Sequence, residues 1–249
     1  PQAALYSWIQ ASGGDWRKQV KHGDIILVVD VGGGTTDLSL IAVLEREGNL
    51  ALQRVAVGEH ILLGGDNMDL ALAYGVARKL AAQGTQLDPW QTRALAHACR
   101  AAKEALLSDP TVQSVPVVVP SRGSKLIGGS IRTEVTREEL TQTLVDGFFP
   151  QAAVSDQPIS RSRGALTQLG LPYAQDAAIT RHLGAFLSRQ RDALAEVSGF
   201  EGALPASASF LHPTAVLFNG GVLKSSLLAE RVLNTLNGWL STEGAAPAR

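Results

Sequence analysis

The chain has 249 residues, of which 45% are apolar and 18% charged, with a formal net charge of −1. That balance gives no electrostatic reason to expect nucleic acid or an acidic membrane surface as partner, and no apolar run reaches the roughly 20 residues of a membrane span. A single cysteine, Cys99, rules out an intrachain disulfide and points to a reducing compartment. The residues given show no signal-peptide pattern, and a start at Pro1 without methionine reads as a fragment of a longer protein.

In chain order, Leu5, Trp8 and Ile9 fall at helical spacing, and the pattern stops at Gly13-Gly14. After a polar loop, Ile25 to Val31 is continuously apolar but for Asp30, as in a strand buried on both faces. Two further strands, Asp37 to Leu44 and Leu50 to Val57, are expected to meet at a hairpin turn on Gly48-Asn49. Gly64-Gly65 opens a helix from Asp66 to about Gln83, with Met68, Leu72, Val76 and Leu80 four apart. Pro89 suits the first turn of the next helix, which runs to about Leu107.

"VQSVPVVVP" and "SKLIGGSIRTEV" read as a strand pair joined by "SRGS", and Thr136 with Glu139 marks a capping box for a helix through Val145. From Phe148 to Leu171 proline, serine, arginine and glycine accumulate, the mark of a long loop or insertion. Helix is expected again from Ala177 to Leu194. A strand, "TAVLFN", then closes on Gly220-Gly221, a last helix spans Ser225 to Leu240, and the tail is expected to fray. The fold class is mixed α/β.

The chemistry concentrates at "VVDVGGGTTDLSL". A strand delivers Asp30 into Gly32-Gly33-Gly34, whose backbone a phosphate chain can approach closely because no Cβ intervenes. Thr35 and Thr36 add hydroxyl donors, and Asp30 and Asp37 flank the turn as ligands for Mg²⁺ or its waters. The spacing is neither G-x-x-x-x-G-K-[ST] nor G-x-G-x-x-G, and two strands rather than a strand and a helix are joined. An ordinary glycine hairpin with aspartates in turn positions is the plain alternative.

This stretch resembles the second phosphate loop of the actin-like ATPase superfamily, and most closely that of the DnaK-type (seventy-kilodalton heat-shock) chaperones. "VGEHILLGGDNMDLAL" is similar to the segment after that family's hairpin, and Pro1-Gln2-Ala3-Ala4 to the start of its lobe-crossing helix. "CRAAKEALLS" resembles the adenosine-facing helix, and "VLFNGGVLK" the late Gly-Gly turn. The likeness runs in order over most of the chain, excluding about Phe148 to Ala208. No counterpart of the family's first phosphate loop precedes Asp30. The resemblance therefore implies lobe II of the ATPase domain: a core subdomain of residues 1–64 and 137–249, and a smaller α+β subdomain inserted at 65–136.

Residue by residue, the resemblance implies that Gly32, Gly33 and Gly34 hold the β- and γ-phosphates, with Thr35 near the γ-phosphate. Asp30 and Asp37 would order Mg²⁺ and the attacking water. Gly64 and Gly65 match a hinge pair near the phosphates, with a plain helix start as the alternative. Lys103 matches a nucleoside contact. Arg100 and Glu104 reverse the family's polarity at two helix positions, or are an exposed i, i+4 pair. Gly220 and Gly221 match the late turn, and Lys224 stands where arginine is usual, keeping the charge but not the planar stacking.

Arg161, Arg163 and His182 are candidates for binding or plain loop and helix-face residues. His22, His60, His97 and His212 show no zinc spacing with Cys99.

The leading expectation is the C-terminal half of the ATP-binding domain of a divergent, bacterial, cytoplasmic DnaK-like chaperone. Its ligands would be ATP or ADP with Mg²⁺, and slow hydrolysis would move the lobes. Its partners would be lobe I of the same parent chain, client polypeptides and co-chaperones. The fragment alone is expected to lack ATPase activity. A sugar-kinase or exopolyphosphatase relative and a pseudo-ATPase interaction module are the alternatives.

Overall fold

The computed structural model describes residues 2–120, 129–159 and 174–249. The chain begins with helices α1 (Gln2–Ala11) and α2 (Trp16–Gln19), then strands β1 (Ile25–Val31), β2 (Thr36–Arg46) and β3 (Asn49–Val57). Helices α3 (Gly65–Ala82) and α4 (Pro89–Ser108) follow, then strands β4 (Ser114–Pro120) and β5 (Ser130–Thr136). Helix α5 (Arg137–Leu140) passes through a π-helical turn, Thr141–Val145, into the short α6 (Asp146–Phe148). Helix α7 (Ile179–Arg189), strand β6 (Ala215–Asn219), a 3₁₀ turn at Val222–Lys224 and helix α8 (Ser226–Thr242) complete the chain. Among the described residues, no helix is long and apolar enough to cross a membrane. The expected "SRGS" turn, Arg161 and Arg163 lie outside the described residues.

The chain divides into two compact units, residues 1–63 with 149–249 and residues 64–148. The first is built on a mixed sheet of order β3-β2-β1-β6, in which β1 pairs antiparallel with β2 and parallel with β6. The apolar run of β1 is explained by that central place: Leu27, Val28, Val29 and Val31 are wholly buried. Ile26 and Val28 join Ile41 and Val43 in a cluster with Trp16 and Val20, against which Leu5, Trp8 and Ile9 of α1 pack. Full burial of such side chains contributes about 1.5–3 kcal/mol each. Helix α7 packs on β2, and its Gly184 admits the Val154 backbone, whose carbonyl would lie 3.0 Å from a Cβ there.

Three expectations need correction in this unit. The β2–β3 turn is centred on Glu47-Gly48, both at positive φ, because Arg46 pairs with Asn49. Helix α7 ends at Arg189 rather than Leu194: the Leu187 carbonyl accepts from Leu211 N–H at 3.1 Å, where a continued helix would place Arg191. The tail does not fray. Arg249 N–H donates to the Thr214 carbonyl, Val216 N–H donates to the Arg249 carbonyl, and the Arg249 guanidinium meets the buried carboxylate of Asp24.

The second unit packs α3 against α4 and α4 against the β4–β5 pair. Met68, Leu72, Val76 and Leu80 are all buried, as their spacing requires. Asp88 caps α4 by accepting from Trp90 and Gln91 N–H, with Pro89 in the first turn. Thr136 and Glu139 form the expected capping box. The break after this unit follows Phe148, beyond α6, whereas the sequence reading placed it before α5. An ion pair between Lys79 of α3 and Glu139 of α5, 2.8 Å, helps hold α5 in the unit.

Candidate functional site

The candidate site of the first unit lies where β1 and β6, parallel neighbours, both end. In open α/β sheets this carboxyl edge is where ligands bind. Residues 32–35 link β1 to β2, with Gly32 N–H donating to the Thr35 carbonyl at 2.8 Å. Gly33 and Gly34 are exposed. None of the three glycines adopts positive φ. A Cβ on Gly34 would meet nothing within 4 Å, and one on Gly32 only Thr35, at 3.7 Å. The fold itself therefore does not exclude side chains at Gly32 and Gly34; what their absence preserves is open space over the backbone.

Asp30 and Asp37 stand directly opposite each other across the antiparallel pair. Like charges so placed repel and destabilise a sheet, so the arrangement calls for a cation or for donors. Asn219, the parallel-register partner of Asp30, donates from Nδ2 to Asp30 Oδ2 at 3.0 Å. His60 Nδ1 lies 2.7 Å from Asp37 Oδ1, and Thr35 Oγ1 donates to Asp37 Oδ2 at 3.3 Å. Among the described residues no group of three or more His, Cys, Asp or Glu could hold a metal ion. Two carboxylates suit Mg²⁺, which usually keeps waters and takes substrate phosphates as its remaining ligands.

Gly220 sits at φ +87°, and a Cβ there would collide with the Val31 backbone. Its glycine is thus a packing requirement that brings the late turn against the end of β1. Gly221 is exposed with nothing near its missing Cβ, and Lys224 is exposed in the following 3₁₀ turn. Thr36 departs from expectation. Its hydroxyl is wholly buried and donates to the Leu63 carbonyl at 2.8 Å, so it ties β2 to the 58–63 segment and is no phosphate donor. Side chains alternate along a strand, and Thr36 falls on the inward side.

In the second unit, Gly64 caps α3, its N–H donating to Asn67 Oδ1 at 2.9 Å, and Gly65 is buried. Lys103, expected to contact a nucleoside, is 8% exposed: its Nζ lies 2.5 Å from Asp69 Oδ1 and donates to the Gly65 carbonyl at 3.1 Å. It is an internal tie between α4 and α3. Burial pushes the Asp69 carboxyl above its ordinary value, and Lys103 pulls it back in part. Arg100 pairs with Glu104 at 3.3 Å and approaches Asp66 at 3.8 Å, all exposed, which is the i, i+4 alternative. Cys99 is buried, and desolvation, with Asp69 and Glu139 nearby, pushes its thiol up to about 12. A polar depression of about 510 Å³ is lined by Gln113, Arg137, Glu138, Thr141, Gln142 and Asp146. Its guanidinium is taken up by the carbonyls of Leu106, Asp109 and Val112.

Sequence reasoning did not assign Asn219 or His60 to the site. Asn219 adjoins Gly220 in a motif already singled out, so register with Asp30 could have found it. No spacing rule points to His60. His182 Nε2 donates to the Asp176 backbone carbonyl at 2.9 Å, beside the Arg181–Asp176 pair, a local structural role.

A family model described as "Hsp70 protein" matches residues 15–157, more than half of the chain. The chain is similar to a "Chaperone protein HscA homolog" of Pseudomonas fluorescens, with 37% identity over 91 residues. That alignment covers 36% of this chain and 14% of the relative's length.

Proposed function

The chain belongs to the Hsp70 family, and on that premise we propose that it is lobe II, the C-terminal half, of the ATP-binding domain of a DnaK-like chaperone. The observation that carries this reading is the bare glycine turn set between two opposed carboxylates, open where side chains would sit. Backbone N–H groups of Gly33 and Gly34 would face the terminal phosphates of ATP, while the Gly32 N–H and the Thr35 hydroxyl hold the turn in shape through the Thr35 carbonyl and Asp37. Asp30 and Asp37 would hold Mg²⁺ directly or through water. When bound, Mg²⁺ supplies neutralisation of phosphate charge, which is most of what phosphoryl transfer asks of a protein. Gly221 and Lys224 border the same edge of the sheet.

In the whole protein, lobe I supplies the opposite wall, so this chain alone turns over no ATP. Hydrolysis biases the lobes between two states, which client polypeptides and co-chaperones read. A cytoplasmic location accords with the unpaired cysteine. The test is calorimetric titration of the full-length protein with ATP and ADP, with and without Mg²⁺, beside Asp37→Asn. Mg²⁺-dependent binding that the variant loses supports the reading. Absence of heat with either nucleotide overturns it.

A second reading, an interaction module that has lost nucleotide, draws on the commitment of Lys103, Arg100 and Glu104 to partners within their own unit. It predicts that Asp30→Asn and Asp37→Asn leave every activity of the full-length protein intact.

A further inference from the structure

We infer that His60 is a positioning residue for Asp37, setting its carboxylate for Mg²⁺; the inference rests on the nucleotide reading of the site. The backbone explains how a residue outside any motif arrives there. Ser39 pairs with Val57, and Gly58 N–H donates to the Leu38 carbonyl at 2.8 Å. The next anchor is Thr36, which exchanges both backbone bonds with Ile61, at 2.9 and 3.1 Å. Between these anchors Glu59 and His60 pass a single residue of β2, Asp37. This is a bulge, the device that re-aims a side chain beside a functional site.

The aim is specific. His60 Nδ1 is 2.7 Å from Asp37 Oδ1, while Thr35 Oγ1 holds Oδ2. A carboxylate accepts hydrogen bonds, so Nδ1 carries the proton and donates. With roughly four acceptor positions on a carboxylate, one bond to each oxygen fixes its plane and leaves positions on both for a metal or its waters. Asp30 is held in the matching way by Asn219 from the sheet itself. His60 therefore supplies for β2 what β6 supplies for β1.

Bulk packing does not account for the contact. The His60 side chain is 60% exposed, against 22% for Asp37, so its removal opens no cavity. The carboxylate of the bulge, Glu59, turns to Arg189 of α7 at 3.4 Å.

The experiment compares wild type, His60→Ala, His60→Asn and Asp37→Asn in the full-length protein. ADP binding is followed by calorimetry across a Mg²⁺ titration, and thermal midpoints are recorded. Removing an outer-shell partner of a metal ligand typically lowers metal affinity about 10–100-fold. His60→Ala should accordingly raise the Mg²⁺ concentration for half-maximal effect by about tenfold or more, with Mg²⁺-free ADP affinity and thermal midpoint unchanged. His60→Asn, whose amide N–H can reach the same oxygen, should recover most of that loss. If His60→Ala matches wild type while Asp37→Asn abolishes the Mg²⁺ effect, the role of His60 is refuted and the nucleotide reading stands. Equal impairment of both His60 variants with lowered midpoints would refute it in favour of a folding role. Retention of the Mg²⁺ effect in Asp37→Asn refutes the site itself.

Discussion

The glycine turn after β1 and the helix α4 both resemble nucleotide-contacting parts of Hsp70 ATPase domains, and they differ in what their side chains already hold. At the turn, Gly33 and Gly34 are exposed and open space stands where a Cβ on Gly34 would be. On α4, the ammonium of Lys103 is spent on Asp69 and Gly65, and Arg100 on Glu104 and Asp66. A group that is buried and paired answers to the fold; a bare backbone with nothing near it answers to something outside the chain. The contrast teaches that motif resemblance alone cannot separate the two.

The contrast can be broken by substitution, and the largest effect is expected at the late turn. Gly220→Ala adds a Cβ onto the Val31 backbone at φ +87° and should cost about 4 kcal/mol or more. Gly221→Ala, in open space, should stay within about 0.5 kcal/mol. Urea unfolding midpoints of the two variants measure the difference. Equal midpoints would mean that the turn does not press on β1.

Lys103→Met should follow, at about 3–5 kcal/mol, because it strands the buried Asp69. The double variant Lys103→Met with Asp69→Leu should regain most of that stability and, in the full-length protein, keep its affinity for ATP. A stable double variant that no longer binds ATP would return Lys103 to the nucleotide and dissolve the contrast.

Gly34→Ala sharpens the comparison from the other side. Its Cβ meets nothing within the chain, so stability should change by less than about 1 kcal/mol, in either direction. Affinity for MgATP, read by calorimetry, should fall at least about tenfold, the equivalent of 1.4 kcal/mol. Unchanged affinity would leave the open space without a ligand.

The smallest effect is the pH dependence of stability. Burial raises the carboxyls of Asp24 and Asp176, but other contacts outweigh it and hold both below the ordinary value of 3.8. For Asp24 these are Arg249, Lys21 N–H and Thr214; for Asp176, Ile159 and Ala178 N–H and Arg181. Their stabilisation is full above about pH 4 and is lost as pH falls through the lowered folded values. Asp69 has the opposite sign: its raised carboxyl costs stability as pH climbs through and above 3.8. Denaturant midpoints between pH 3 and pH 7 should therefore fall toward acid in wild type, less steeply in Asp24→Asn.

Much of the fold was legible because its signals are local. An unbroken apolar run marks β1 as central, Asp88 before Pro89 opens α4, and Thr136 with Glu139 opens α5. The misread places are those decided by partners distant in sequence. Nothing in residues 241–249 signals an ordered tail, because its anchors are backbone bonds to Thr214 and Val216, which leave no periodicity. Composition places the hairpin turn one residue late, on Gly48-Asn49, because register, not composition, sets which residues are central.

By itself the sequence determined the α/β class, the order of strands and helices, and the glycine turn between Asp30 and Asp37, since periodicity and turn chemistry are written in neighbouring residues. Only the tertiary structure decided which of the polar groups face outward. It buried Thr36 against Leu63 and Lys103 against Asp69, and brought Asn219 to Asp30 and His60 to Asp37. The physical reason is that a polar side chain takes its role from the partner across the fold, and strand register and a single bulge choose that partner.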